Sequence, residues 1–294
     1  MASSHWNLVA RAWSETFQIV RAQRILFMPL GISAAVKTTI LGVSLIVPFP
    51  PFSNLFAPAV RYFWGDLYLH YPYHLALASR WFKQTDLLIP ILLEGLLIGT
   101  TAVLTRHLLM KHHSKPRQVF AETFRRYPAI TLLTVLDVFL TMLCAQLSTR
   151  PVGLLFQKLL PSWWAQSFLG PLFVLAVVVT VVSAAVESLL ILAIPACVVE
   201  GRSTLRALAH SVQTGLRAYG WIFLTVLAVT LFYLPVLLIR HGSTRLVGSA
   251  WPESILLVYL VRIFFSWVIG TLLTVWATIY LVRVAEAVPG KSSR

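Results

Sequence analysis

The chain has 294 residues, of which 58% are hydrophobic and 12% charged, against about 25% charged in a soluble domain. Several stretches of 20 or more residues hold almost no charge, long enough to cross a hydrocarbon core of about 30 Å, so an ordinary soluble domain is excluded. The net charge of +14 does not imply a nucleic-acid partner, because the basic residues cluster beside the apolar runs, where Lys and Arg set topology and meet anionic headgroups.

Residues 6–24 come first. They place Trp6, Val9, Trp13, Phe17 and Val20 on one side of a helix and Arg11, Gln18 and Arg21 on the other. This is the pattern of an interfacial amphipathic helix rather than of a cleavable leader. Six apolar spans follow, at roughly 25–47, 87–110, 129–148, 169–194, 221–239 and 254–284. All are expected to be helices, because each must satisfy its own backbone in lipid. Pro48, Pro50 and Pro51 end the first span.

An aromatic loop, 48–86, separates the first two spans. Its "HYPYH" sets His70 and His74 four apart, a spacing that on a helix suits a metal or haem. Pro72 lies between them and no carboxylate or Cys cluster completes a ligand set nearby, so an aromatic interfacial loop is the plainer reading and no metal is expected. The second span carries "GLLIG", a GxxxG pattern that permits close helix approach, within the bundle or between copies. "HLLMKHH" follows, with His107, His112 and His113 in a basic patch.

A second amphipathic segment, 117–127, sets Phe120, Phe124 and Tyr127 against Gln118, Glu122 and Arg125. A third, 202–219, sets Leu205, Leu208, Val212, Leu216 and Tyr219 against Arg206, His210, Gln213 and Arg217. Ser203 or Thr204 can cap it, Gly220 can end it, and Trp221 can anchor the next span at headgroup depth. "SETF" at 14–17, "AETF" at 121–124 and "AHSV" at 209–212 occur at matching places. The expected fold class is therefore all-α: a polytopic membrane protein with six transmembrane helices in three helix-hairpin units. The units cover about 1–110, 111–194 and 195–294 of one membrane domain, each opened by a cytoplasmic interfacial amphipathic helix. Same-direction repeats of two spans differ from the inverted repeats of many secondary transporters.

Fifteen Lys and Arg fall on the side of the termini and seven on the other. The positive-inside rule then puts both termini in the cytoplasm of a multi-pass protein of the inner (plasma) membrane. Arg125, Arg126, Arg206 and Arg217 are the expected contacts to anionic headgroups. Five ionisable residues lie inside the spans: Lys37, Glu94, Asp137, Glu187 and Arg262. They form either structural pairs or a proton or substrate path. Similar depth favours Glu94 with Arg262 and Asp137 with Lys37. Cys144 and Cys197 fall near opposite surfaces, too far apart for a disulfide.

The run "IPACVVEGRSTLRALAHSVQTGLRAYGWIF" resembles bacterial six-span proteins related to the membrane domain of glycerophosphoryl diester phosphodiesterase. The matching positions are Pro195, Val199, Glu200, Gly201, Ala207, Leu208, Ser211 and Trp221. The resemblance implies that a proline ends a span and that a turn, an amphipathic helix and an aromatic-led span follow. It implies a fold and no catalyst, because that family's chemistry lies in a separate soluble domain. No HExxH, Walker A, GxGxxG, CxxC or GxSxG pattern occurs. The leading expectation is a non-catalytic scaffold or assembly subunit of a membrane system. The alternative is a carrier or binder of lipids or other hydrophobic molecules, with an intramembrane enzyme behind both. Expected partners are anionic membrane lipids and other membrane proteins; no cofactor is implied.

Overall fold

Apolar runs with no water to satisfy their backbones fold as helices, and the computed structural model of this chain is helical throughout its regular structure, with no strand among the described residues. It describes residues 2–71, 73–75, 87–112, 115–159, 169–231 and 253–286. Helix α1 is Ala2–Ala22, and a 3-10 turn, Arg24–Phe27, leads into α2, Met28–Ile46. Helix α3 is Phe52–Trp64 and α4 is Leu87–Leu109, whose Pro90–Glu94 stretch is π-helical. Then come α5, Pro116–Phe124, and α6, Tyr127–Leu159. Next are α7, Leu169–Leu190, α8, Ala193–Val199, and α9, Thr204–Arg217. The last two are α10, Tyr219–Leu231, and α11, Ser254–Glu286.

Five described segments are long and apolar enough to cross a membrane: Arg24–Ile46, Leu87–Leu109, Tyr127–Ser148, Ala176–Val199 and Leu256–Glu286. The chain is an all-helical, multi-pass membrane protein. The expected fifth span, 221–239, begins in α10, and its part beyond Leu231 lies outside the described residues.

Two expectations need correction. The fourth apolar segment does not stop at Pro195. It breaks earlier, at Ile191–Leu192, and resumes as α8 to Val199. Pro195 has no N–H to give the carbonyl four residues back, and its ring crowds that carbonyl, so the chain turns ahead of it. Residues 48–86 are also more than a loop. Pro51 sits at the N-cap of α3, where a missing N–H costs nothing, and Gly65, at φ +93°, stops the helix where a side chain would be strained.

The main core lies at the end of the bundle where α1, α5 and α9 meet the spans. It joins Val9 and Ala12 of α1, Val103 of α4, Val119 of α5, Ile130 of α6, Ala196 of α8, Ala207 of α9, Ile222 of α10 and Trp276 of α11. Trp276 and Tyr280 are fully buried, and Trp13 stacks on Trp276 with ring centroids 5.8 Å apart. Among the described residues the opposite half holds smaller buried clusters, one around Leu41, Tyr259 and Ile263 and one around Val47 and Val60. Close approach between helices uses glycine. A Cβ on Gly95 collides with Thr134, and one on Gly99 comes within 2.8 Å of Thr123. The GxxxG pattern therefore serves packing inside the bundle.

Candidate functional site

Helices α1, α5 and α9 dock by one device. Each presents a small or β-branched residue and, four positions on, a hydroxyl residue. The pairs Ala12 and Thr16, Val119 and Thr123, and Ala207 and Ser211 are all buried. Thr16 and Thr123 donate to the carbonyls of Ala12 and Val119, at 2.7 and 3.0 Å, so the buried hydroxyls are satisfied within their own helices. Ser211 instead donates at 2.6 Å to the Leu189 carbonyl, beside the break before α8, where the helical ladder is interrupted. Gly215, one turn on, lets α9 lie against the Ser188 carbonyl and Leu189, which a Cβ there would crowd at 3.2 and 3.3 Å.

The residue before each hydroxyl makes an acid–base contact with the end of a span. Glu15 pairs with Arg283 at 3.0 Å, Glu122 lies 3.5 Å from His107, and His210 lies 3.7 Å from Glu200. Thus α5 and α9 each clasp the helix just before them, α4 and α8, while α1 clasps α11. The letters shared by 14–17, 121–124 and 209–212 mark these structurally equivalent positions. The next residue faces outward in two cases: Phe17 and Phe124 are exposed and Val212 is half-buried.

The turn after α8 explains the "VVEG" residues. Gly201 has φ +72°, the left-handed conformation that ends helices. Its missing Cβ also leaves room for the Arg126 guanidinium, 3.1 Å away. Arg126 is thereby turned inward and donates to the Cys197 carbonyl at 2.5 Å, capping α8. Glu200 accepts from Arg202 and faces His210. Ser203 holds the N-cap position of α9 without a side-chain bond, and α9 ends at Ala218 rather than at Gly220. There the chain bends by 97° into α10. Trp221 packs on Trp6 with the rings tilted by 38° and their centroids 4.4 Å apart, tying α10 to α1. Leu208 is half-buried, while Leu205 and Leu216 are 76% and 62% exposed. The large apolar residues of α9 thus face outward or sideways, and its small ones face the bundle. Arg125, Arg206 and Arg217 are exposed.

Within the spans the charges pair differently from expectation. Lys37 meets Glu94 at 2.6 Å, and Ser33 donates to the same Glu94 oxygen at 2.7 Å. Ser33 and Lys37 stand one turn apart on α2, and the π-turn of α4 delivers Glu94 to them. A crevice with room for about one water molecule adjoins the group, lined also by Ile263, Ser266 and Trp267. Trp267 donates to the Phe27 carbonyl at 2.8 Å, fixing α11 against the foot of α2. Asp137 does not reach Lys37. Its buried Oδ1 has no hydrogen-bond partner among the described residues, and the charge within electrostatic reach is that of Glu187 on α7. Both carboxylates lie near the middle of their apolar segments. Arg262 of α11 precedes Ile263 but is not among the residues that line the Lys37–Glu94 crevice.

His70 and His74 do not share a helix face. His70 is extended after the 3-10 turn Asp66–Leu69 and sits 3.4 Å from Asp66, which Arg61 also holds at 2.6 Å. Those two partners, Arg61 first, hold the Asp66 carboxyl below its ordinary range. His74 is buried against Phe49, and burial holds its imidazole below the usual histidine range. Tyr71 donates to Glu253 at 2.7 Å, joining this segment to the start of α11. No group of three metal-ligating side chains occurs among the described residues. His107 lies 6.4 Å from His112, ring to ring, and His113 lies outside the described residues. Cys144 and Cys197 are free thiols.

No family model matches the chain. Nor does any curated protein or solved structure. Function therefore rests on the residues themselves.

Proposed function

We propose that the protein is a non-catalytic scaffold or assembly subunit of a membrane system, seated in the inner membrane with its α1, α5 and α9 end in the cytoplasm. The carrying observation is the trio of helices docked by one device. Each turns a face of small or β-branched residues to the bundle and keeps two faces outward. One is apolar: Phe17 on α1, Phe120 and Phe124 on α5, Leu205 and Leu216 on α9. The other is basic: Arg11, Arg117 with Arg125, and Arg206 with Arg217. Apolar side chains beside arginines match acyl chains beside anionic headgroups, where each cation contributes about 1 kcal/mol. The excess of Lys and Arg at this end supports the cytoplasmic orientation. The resemblance of 195–221 to six-span membrane domains bears on architecture and assigns no reaction.

A second reading, a carrier or binder of lipids or other hydrophobic molecules, draws on the Ser33–Lys37–Glu94 group and the Asp137–Glu187 pair, polar sites well inside the apolar segments. The test starts from the full chain in its own membrane, cross-linked and then extracted in mild detergent. A defined complex with another membrane protein and retained anionic lipid is expected. Changing Arg117, Arg125, Arg206 and Arg217 to Ala should release the lipid while leaving the melting temperature of the protein unchanged. A solitary protein that moves lipid between vesicles would overturn the scaffold reading in favour of the carrier.

A further inference from the structure

Helix α3 lies at the end of the bundle opposite α1, α5 and α9, and it has three distinct faces. Val60 and Ala57 are buried, with Phe56 and Trp64 half-buried, against Val47, Tyr68 and Leu69. Asn54 and Arg61 form an exposed polar edge. Phe52, Leu55, Ala59, Tyr62 and Phe63 recur at helical spacing along a third face, and all are exposed, Leu55 at 72% and Tyr62 at 84%.

The geometry points to this third face as a membrane-inserted surface that takes the acyl–headgroup boundary of the leaflet opposite the basic end. Three observations identify lipid as its occupant. The exposed apolar track is continuous with the flank of the first span, running from Val43 and Ile46 through Phe49 to Phe52. Only residues 47–51 join α2 to α3, and they turn tightly, the Phe49 N–H donating to the Ile46 carbonyl and the Ser53 N–H to the Phe49 carbonyl, both at 3.0 Å, so α3 starts close beside the end of the first span. Its Phe52, Leu55 and Phe63 are of the kind that interfacial helices bury in the acyl boundary, and Tyr62 is of the kind that settles at headgroup depth. The face carries no charge, and the neighbouring Arg61 is already held by Asp66 at 2.6 Å. Insertion should therefore be indifferent to lipid charge, unlike the arginine-bearing helices at the other end. This inference needs only the membrane-spanning architecture, not the scaffold reading.

The full-length protein, with Cys144→Ala and Cys197→Ala, is reconstituted into vesicles of phosphatidylcholine alone and of phosphatidylcholine with phosphatidylglycerol. An environment-sensitive dye is placed at Leu55→Cys, Tyr62→Cys or Asn54→Cys. Expected are blue-shifted emission and quenching by shallow spin-labelled lipid at Leu55 and Tyr62, alike in both vesicles, with iodide-accessible emission at Asn54. Water-like emission at Leu55 and Tyr62, or a response appearing only with the anionic lipid, would overturn the inference. A photo-reactive benzoylphenylalanine replacing Tyr62, with the native cysteines kept, gives an independent readout in the native membrane. A phospholipid adduct supports insertion, and a protein adduct as the main product refutes it.

Discussion

Gly99 is where α4 admits three other helices, and the effect of a methyl group there can be worked from the distances. A Cβ would lie 2.8 Å from Thr123 Cγ2 on α5, 3.2 Å from Ile130 Cδ1 on α6 and 3.3 Å from Val198 Cγ2 on α8. Thr123, Ile130 and Val198 are all buried, so none can swing away. Overpacking of this kind costs about 1–3 kcal/mol. Replacing a mid-helix glycine by alanine gives back about 1 kcal/mol of propensity. With a 2.8 Å contact to a buried methyl the clash falls at the upper end of that range and prevails, with a net loss of up to about 2 kcal/mol. At about 2–4 °C per kcal/mol for a chain of this size, Gly99→Ala should melt several degrees below the parent in mild detergent. Gly42→Ala is the control, because nothing lies within 4 Å of its Cβ; it should melt level with the parent or slightly above. Thr123→Ser removes the nearest methyl while keeping the buried hydroxyl. The pair Gly99→Ala with Thr123→Ser should therefore recover much of the loss, a coupling read from the double-mutant cycle. A Gly99→Ala protein that melts at or above the parent, or a pair that is strictly additive, would refute the close approach of α4, α5 and α8.

Breaking the Lys37–Glu94 pair from one side, by Lys37→Met or Glu94→Gln, should cost about 3–5 kcal/mol each, because the partner is left buried without its counter-charge. The double variant should be milder than the sum, and additive losses in thermal melts would count against the pair. Asp137→Asn with Glu187→Gln should raise the melting temperature by removing two mutually repelling carboxylates; a fall would show that the charges are compensated. Burial disfavours the protonated His74, so as pH drops through about 6.5 the unfolded chain takes up a proton that the folded chain resists, and stability falls. Melts between about pH 7.5 and 5.5 should show this slope in the parent and lose it in His74→Phe, and an unchanged slope would assign it elsewhere. With Cys144 and Cys197 replaced, Ser203→Cys should be shielded from an impermeant maleimide added outside cells, while Asn54→Cys reacts. The reverse pattern would invert the topology.

The span positions were legible because hydropathy averaged over about 20 residues is insensitive to individual contacts. Facing was not. A π-turn inserts a residue and rotates everything after it by about 100°, and nothing in the letters PILLE announces one. Charge pairing reasoned from depth therefore assigned Glu94 to Arg262, whereas Ser33 and Lys37 receive it. On α9 the contrast between the leucine stripe and the arginine stripe marks an interfacial helix but does not name the side that docks. In lipid, close approach belongs to small residues and leucines are free to face acyl chains, so Ala207, Ser211 and Gly215 turn inward instead. Helix α3 was hidden by four prolines, Pro48, Pro50, Pro51 and Pro58. The spacing of Phe52, Leu55, Ala59, Tyr62 and Phe63 was the signal that could have found it. The letters shared by the three amphipathic segments held more than their brevity promised, because they mark the clasp and the buried hydroxyl.

Helices α5 and α9 find their clasps on the helix made immediately before them. For α1 the partner is the last helix of the chain: Glu15 and Arg283 are 268 positions apart. A ribosome therefore delivers the first docking face long before its receptor exists. Until α11 has been threaded, the Ala12 and Thr16 stripe has only lipid to lie against, and Trp6 must wait for Trp221. The first and last helices close the assembly like the two ends of a belt. Truncating the chain before Ser254 leaves α5 and α9 with their clasps on α4 and α8 and α1 without the Trp276 and Arg283 surface that receives it, so a protease cutting near Ala22 becomes a clock for the completion of folding.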